Sequence, residues 1–156
     1  MSCAKFSAST IGKSISVPKG VMVRKKRVLL GKVGLDGHDV GARLVAKGLA
    51  DAGMEVVYTG LRQTPEMIVT SAVQEDVDLI GVSILSGSHL FFLEEIMAAL
   101  NEADVHIPVI VGGTIPSEDV TLLKKMGVKE VFLPETPLEE IVEFVRQIVV
   151  PTSSRS

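Results

Sequence analysis

Cysteine and aromatic residues are scarce in this 156-residue chain. It has one cysteine, Cys3, and no tryptophan, and aromatic residues make up 4% of the sequence. A single cysteine excludes an intrachain disulfide framework, so a packed apolar core has to hold the fold together. This usage fits a reducing compartment, and we expect a cytoplasmic protein.

Long apolar runs and a strong excess of one charge are also missing. No apolar run comes near the roughly 18 residues of a membrane-spanning helix. Sixteen basic and nineteen acidic residues give a net charge of −3. No basic stripe is interleaved with aromatics, so we expect no nucleic-acid partner and no membrane partner. The 46% hydrophobic and 22% charged fractions are typical of one globular domain.

From residue 27 onward, short β-branched runs alternate with helical patterns. The runs predict strands at residues 27–33, 55–58, 78–83, 109–111 and 130–133. The helical patterns predict helices at residues 40–52, 64–75, 90–102, 116–127 and 136–148. Residues 1–26 show no periodicity and are expected to form a flexible extension, and residues 151–156 a flexible tail. One domain is therefore predicted over residues 27–150.

Several residues mark the ends and faces of these helices. Thr64 before Pro65 is typical of a helix start, and Gly53 and Gly127 are typical of helix ends. The apolar face of the first helix is predicted to contain Leu44, Val45 and Leu49. The buried residues predicted for the third helix are Phe91, Leu93, Ile96, Met97 and Leu100.

Five consecutive βα units predict a parallel sheet with helices on both faces, because crossover connections are right-handed. Continuously apolar strands agree with burial on both sides. The predicted fold is α/β: a flavodoxin-like, doubly wound, five-stranded parallel sheet of order 2-1-3-4-5 in a single domain. In this order the loops after the first and third strands form one crevice, where ligands of such sheets bind.

Small and polar residues follow three of the predicted strands. They occupy residues 32–41 after the first strand, 83–89 after the third and 112–114 after the fourth. Glycines allow a backbone to approach a large ligand closely. A wide pocket lined by small residues is therefore predicted at this crevice.

Asp36 and His38 lie two residues apart in the first of these loops, so their side chains can point the same way. An aspartate that accepts a hydrogen bond from one imidazole nitrogen makes the other nitrogen a better metal ligand or base. Lys32 could keep Asp36 ionised. From spacing alone, an exposed polar loop with an incidental histidine remains an alternative.

Other familiar sites do not fit these residues. Zinc needs three or four ligands, and His106 precedes the fourth strand at the opposite end of the sheet from His38 and His89. Neither a G-x-S-x-G nucleophile elbow nor a G-x-G-x-x-G fingerprint is present. A phospho-acceptor receiver domain would need an aspartate where Ser83 stands.

The strand ends resemble those of the cobalamin-binding domains. Residues 36–41 match the family's D-x-H-x-x-G signature, residues 83–85 its S-x-L and residues 112–113 its G-G. The sequences of residues 32–39, 63–66 and 112–116 resemble the corresponding segments of acyl-CoA mutases of the methylmalonyl-CoA mutase type. One departure is residues 133–136, where the family often has a glycine-rich turn. Because of this departure, the resemblance does not assign cofactor contacts to Glu135, whereas Thr136 remains a candidate cofactor-binding residue.

The resemblance implies roles for individual residues. His38 would be the lower axial ligand of the cobalt, with Asp36 and Lys32 completing an axial-ligand relay behind it. The displaced nucleotide tail of the cofactor would lie between the first and third strands. The implied cofactor-binding residues are Gly37, His38, Asp39, Val40, Gly41, Ser83, Leu85, Gly87, Gly112, Gly113 and Thr136.

The resemblance also implies an adenosylcobalamin-dependent isomerase that rearranges carbon skeletons by radical chemistry. The substrate of such a mutase is held by a (β/α)₈ barrel of about 250 residues, which this chain cannot contain. We therefore expect the small subunit of a two-chain mutase, inactive alone, whose large barrel subunit binds most of the acyl-CoA. Methylmalonyl-CoA is the default substrate and 2-hydroxyisobutyryl-CoA another, and the sequence does not decide between them.

Three alternatives remain. A corrinoid protein of a methyltransferase would usually carry a helical domain before the D-x-H-x-x-G motif, and residues 1–26 are too short for one. A stand-alone cobalamin carrier or sensor is not excluded by any residue of the chain. A flavodoxin-like domain without cobalamin is the third.

Overall fold

The computed structural model describes residues 4–6, 25–33, 40–60, 62–84 and 89–148. Its strands are β1 (Ala4–Phe6), β2 (Arg27–Lys32), β3 (Glu55–Tyr58), β4 (Leu79–Ile84), β5 (Val109–Gly113) and β6 (Glu130–Phe132). Its helices are α1 (Val40–Asp51), α2 (Pro65–Gln74), α3 (His89–Glu102), α4 (Val120–Met126) and α5 (Leu138–Ile148). A 3₁₀ turn at Ser117–Asp119 precedes α4. Within these ranges, no helix is both long and apolar enough to cross a membrane.

The strands form one sheet of order β1-β3-β2-β4-β5-β6. All neighbours from β3 to β6 are parallel, which confirms the predicted five-stranded order 2-1-3-4-5. The sheet also has an edge strand that was not predicted, because β1 pairs antiparallel with β3. Residues 4–6 thus depart from the predicted flexible extension. The open edge of β3 supplies their backbone partners, and that edge leaves no local signal in the sequence of residues 4–6.

Each predicted strand and helix is present, with ends that differ by at most a few residues. The side chain of Thr64 accepts a hydrogen bond from the backbone N–H of Met67 at 3.1 Å, so the predicted start of α2 is confirmed. Gly127 ends α4 in the left-handed region, with φ of 114°. Residues 1–3 and 7–24 of the predicted extension and the predicted tail at residues 151–156 lie outside the described residues.

Apolar residues cover both faces of the sheet. On one face, Leu29, Ile80 and Val111 pack with residues of α2, α3 and α4. On the other face, Leu30 and Ile110 pack with residues of α1 and α5. Burial on both faces explains why the parallel strands are continuously apolar.

Two residues predicted to be buried are exposed: Leu44 by 55% and Phe91 by 62%. A helix buries a stripe at spacings of three and four residues. On α1 the buried stripe is Ala42, Ala46, Leu49 and Ala50, and on α3 it is His89, Leu93, Ile96 and Leu100. Leu44 and Phe91 each lie two positions beyond the first residue of their stripe, so neither belongs to the part of the helix that packs on the sheet. Leu49, Leu93, Ile96 and Leu100 are buried as predicted, and Val45 and Met97 are partly buried.

Candidate functional site: a groove at the carboxyl ends of the strands

A groove of about 460 Å³ opens beside the carboxyl ends of four parallel strands. Its floor comes from the sheet face that α1 and α5 cover, and these two helices form its walls. Side chains alternate along a strand, so every second position of each strand faces the groove. The floor positions are Leu30 of β2, Gly81 and Ser83 of β4, Ile110 and Gly112 of β5, and Phe132 of β6. The wall side chains include Leu44, Val45, Leu138 and Ile141.

Two glycines of the floor have different surroundings. A Cβ on Gly112 would have only the carbonyl oxygen of Phe132 nearby, at 3.8 Å, so a side chain here would enter the open groove. A Cβ on Gly81 would collide with the side chain of Leu30. The groove is therefore open at Gly112, whereas Gly81 leaves space that Leu30 fills.

Gly113 holds the ends of β4 and β5 close together. Its φ is 137°, and a Cβ at this position would collide with the carbonyl oxygen of Ile84. Only glycine tolerates both the conformation and the close backbone contact. The two neighbouring strands therefore leave the sheet side by side at the rim of the groove.

The lining of the groove is mostly apolar. Among the described residues that line the groove, only Ser83, Thr114 and Thr136 have polar side chains, and none of these described residues is charged. The backbone N–H of Thr136 donates to the carbonyl of Leu133 at 3.0 Å and closes the turn after β6. An apolar cavity of this size with a few hydroxyl groups is typical of a site for a small molecule or cofactor.

Lys32 ends β2 beside the groove. Its Cα is paired with that of Ser83, and its side chain is only 2% exposed. Lysine is almost never fully buried unless it is paired, because the burial of an unpaired ammonium group is costly. We therefore expect an anionic group next to Lys32 at this end of the sheet. The backbone there is tied to the loop after β3, where the N–H of Gln63 donates to the carbonyl of Lys32 at 2.9 Å.

The predicted site residues fall into two groups. Gly41, Ser83, Gly112, Gly113 and Thr136 line the groove, Lys32 is buried beside it, and Val40 begins α1. The other predicted residues lie outside the described part of the chain: Asp36, Gly37, His38, Asp39, Leu85 and Gly87.

The described ranges contain no cluster of side chains that could hold a metal ion. No group of three or more histidine, cysteine, aspartate or glutamate residues was found there. His106 is 93% exposed and precedes β5, at the amino-terminal end of the strands. This agrees with its predicted distance from the crevice.

Several groove residues were not predicted from the sequence. Gly81 had a usable signal, because a glycine inside an apolar strand often marks a close approach of a ligand or another backbone. No sequence signal marked Phe132, Leu138 or Ile141 as groove residues, because they resemble ordinary core residues. They reach the groove only because β6 and α5 pack next to β5 and α1.

Comparison with known proteins agrees with this geometry. Residues 26–142 match the model of a protein family described as the B12 binding domain. The chain is 48% identical over 130 residues to the 2-hydroxyisobutanoyl-CoA mutase small subunit of Aquincola tertiaricarbonis, covering 83% of this chain and 96% of that protein. It is 49% identical over 123 residues to the pivalyl-CoA mutase small subunit of Xanthobacter autotrophicus, covering 78% of this chain and 82% of that protein.

Longer proteins and a solved structure match as well. The longer proteins are mutase chains of which this chain spans only 16–18%. The fold is similar to that of a cobalamin-binding protein from Desulfitobacterium hafniense, with a TM-score of 0.71 and 21% identity over 81% of this chain and 60% of that one. The chain belongs to the B12-binding domain family and, within it, to the small subunits of acyl-CoA mutases.

Proposed function

We propose that this chain binds adenosylcobalamin for a two-chain acyl-CoA mutase, with His38 as the lower axial ligand of the cobalt. The observation that carries the proposal is the apolar, glycine-floored groove at the switch point of the sheet. This groove lies between the ends of the strands that precede the three motif segments. The nucleotide tail of the cofactor would lie in this groove.

The groove has the properties that a nucleotide tail requires. The base is planar and largely apolar, which suits a floor of Leu30, Ile110 and Phe132. The ribose and phosphate are polar, and hydroxyl groups such as those of Ser83, Thr114 and Thr136 can form hydrogen bonds with them near the rim. The absent side chain of Gly112 leaves room that the base can occupy.

The burial of Lys32 supports the relay of His38, Asp36 and Lys32. A buried ammonium needs an anionic partner, and Asp36 follows Lys32 by only four residues. In this proposal Lys32 keeps Asp36 ionised, and Asp36 accepts a hydrogen bond from the N–H of one imidazole nitrogen of His38. The other imidazole nitrogen is thereby oriented and available to cobalt.

Adenosylcobalamin supplies the radical chemistry through homolytic cleavage of its cobalt–carbon bond. The residues of this chain bind the tail, orient the cofactor from below and shield the apolar groove from water. The partner is a large subunit with a (β/α)₈ barrel that binds most of the acyl-CoA. The two relatives are named for different acyl-CoA substrates. In this proposal the large subunit therefore determines which acyl-CoA is the substrate. The proposed location of the protein is the cytoplasm.

Electron paramagnetic resonance of bound cob(II)alamin tests the axial ligand. The unpaired electron of the cobalt couples to the axial nitrogen, so protein labelled with ¹⁵N-histidine should convert each triplet of lines into a doublet. His38→Ala should abolish the ¹⁵N coupling, and His106→Ala, at the opposite end of the sheet, should retain it. A triplet that persists in labelled wild-type protein would show that the cofactor keeps its own base and would contradict the proposal.

Reconstitution tests the role as a subunit. The purified chain should form a complex with a barrel-containing mutase subunit from the same host, and isomerase activity should require both chains. Activity of the large subunit that does not depend on this chain would contradict a mutase role. It would favour a stand-alone cobalamin carrier or sensor.

A further inference from the structure

A buried histidine and an aspartate meet outside the groove. His89 is the first residue of α3, and its side chain is only 6% exposed. Its Nε2 lies 2.7 Å from Oδ2 of Asp119, at the end of the 3₁₀ turn that follows β5. An ionised carboxylate only accepts hydrogen bonds, so the imidazole donates from Nε2. Neither residue is among those that line the groove.

The pair links the chain after β4 to the chain after β5. These strands run side by side up to the Ile84–Gly113 pair, where the backbone contact of Gly113 holds them together. Beyond that point the chain continues to His89 on one side and to Asp119 on the other. The His89–Asp119 hydrogen bond is thus a second attachment between the two strand exits.

Ser83 and Gly112 are paired within the β4–β5 ladder, so the sheet itself fixes their spacing. Thr114 lies beyond the ladder, between Gly113 and Asp119, and it lines the groove. The attachment at Asp119 therefore bears on the position of Thr114 at the rim. Because His89 is almost inaccessible to water, solvent cannot readily replace its bond to Asp119.

We propose that His89 and Asp119 are a positioning pair that anchors residues 114–118 to the start of α3 and so holds Thr114 where the cofactor tail requires it. This inference rests on the proposed function of the groove. The pair does not touch the ligand and acts only through the segments that it joins. Because His89 belongs to the buried stripe of α3, loss of the bond should also lower stability, so binding and stability have to be measured separately.

Four variants separate positioning from general stability. His89→Gln keeps an amide donor near the position of Nε2, and His89→Phe fills the same space without a donor. Asp119→Ala removes the acceptor, and the double variant His89→Phe/Asp119→Ala tests whether both act through one contact.

The Lys124–Glu130 ion pair provides a matched control. It spans 2.9 Å and joins α4 to the amino-terminal end of β6, away from the groove. Burial raises the pKa of Glu130, but the hydrogen bonds from Lys124 and the Val131 N–H lower it by more, so this carboxyl is ionised at neutral pH. The control variant is Glu130→Gln.

The measurements are adenosylcobalamin affinity, from titration of the visible spectrum, and the urea midpoint of each chain without cofactor. His89→Phe and Asp119→Ala should each raise the dissociation constant about threefold to tenfold, because the loosened turn then has to be ordered when the cofactor binds. The dissociation constant of the double variant should be no higher than that of the single variant that binds adenosylcobalamin less tightly. His89→Gln should remain close to wild type, and Glu130→Gln should bind as wild type does.

Several results would overturn the inference. Wild-type affinity in His89→Phe or in Asp119→Ala would show that the bond does not position Thr114 for binding. A loss of affinity that follows the urea midpoint across all variants, including Glu130→Gln, would show a general effect of stability. Wild-type protein that fails to bind cobalamin would contradict the proposed function itself, whereas normal wild-type binding with unaffected variants would contradict only the positioning pair.

Discussion

Gly112 and Gly113 are neighbours in the sequence but have different surroundings. Gly112 faces the open groove, whereas Gly113 has a positive φ and packs against the backbone of Ile84. The first glycine leaves room for a ligand, and the second allows two strand ends to approach each other. At the scale of residues, the site therefore depends on missing side chains as much as on polar groups.

A size series at Gly112 tests whether the groove holds the cofactor. Gly112→Ala, Gly112→Val and Gly112→Leu should change the free energy of unfolding by about 1 kcal/mol or less, because each side chain enters open space. The dissociation constant for adenosylcobalamin should rise with each increase in size, because the side chain and the tail compete for one volume. Spectral titration and urea unfolding measure the two effects. Normal binding by Gly112→Leu would mean that the tail lies elsewhere.

The helices and strands largely follow local signals. Thr64 and Pro65 mark the start of α2, and Gly127 marks the end of α4, because caps and left-handed turns need particular residues. The burial of a side chain depends less on the local sequence than the position of a helix or strand does. Leu44 and Phe91 are as apolar as their buried neighbours, and only the orientation of α1 and α3 on the sheet turns them outward.

The cap of α2 offers a test at the scale of one element. Thr64→Ala should lower the free energy of unfolding by about 1 kcal/mol, because the N–H of Met67 loses its side-chain acceptor. Thr64→Ser keeps that acceptor and should stay close to wild type. Urea unfolding measures both variants. Equal stability of Thr64→Ala and Thr64→Ser would show that the cap contributes little to this fold.

The groove belongs to the molecule as a whole. Its floor comes from four strands, and its walls come from α1 and α5, which are separated by most of the chain. An unfolded chain has no such groove, so a ligand of the groove binds only the folded state. Binding should therefore appear as added stability.

Adenosylcobalamin at about 100 times its dissociation constant should stabilise the chain by about 2.7 kcal/mol. Thermal or urea unfolding with and without cofactor measures this increment. Thr64→Ala should gain a similar increment, because α2 packs on the opposite face of the sheet from the groove. Gly112→Leu should gain much less at the same cofactor concentration. An equal gain in Gly112→Leu would point to binding at another surface.

The sequence alone was sufficient for the five parallel strands, their order and the strand ends that surround the crevice. Those features follow from hydrophobic periodicity, helix-end residues and the right-handedness of βα crossovers, which act over a few residues or through chain connectivity. Ser83, Gly112 and Gly113 were accordingly identified before the fold was known.

Only the tertiary structure decided the remaining features. β1 forms where β3 offers an open edge, Phe132 and Leu138 reach the groove through the packing of β6 and α5, and His89 meets Asp119 across two strand exits. Each of these contacts joins residues far apart in the chain or depends on the angle at which a helix lies on the sheet. Such contacts depend on where whole elements pack, and the sequence around each residue carries no signal of that position.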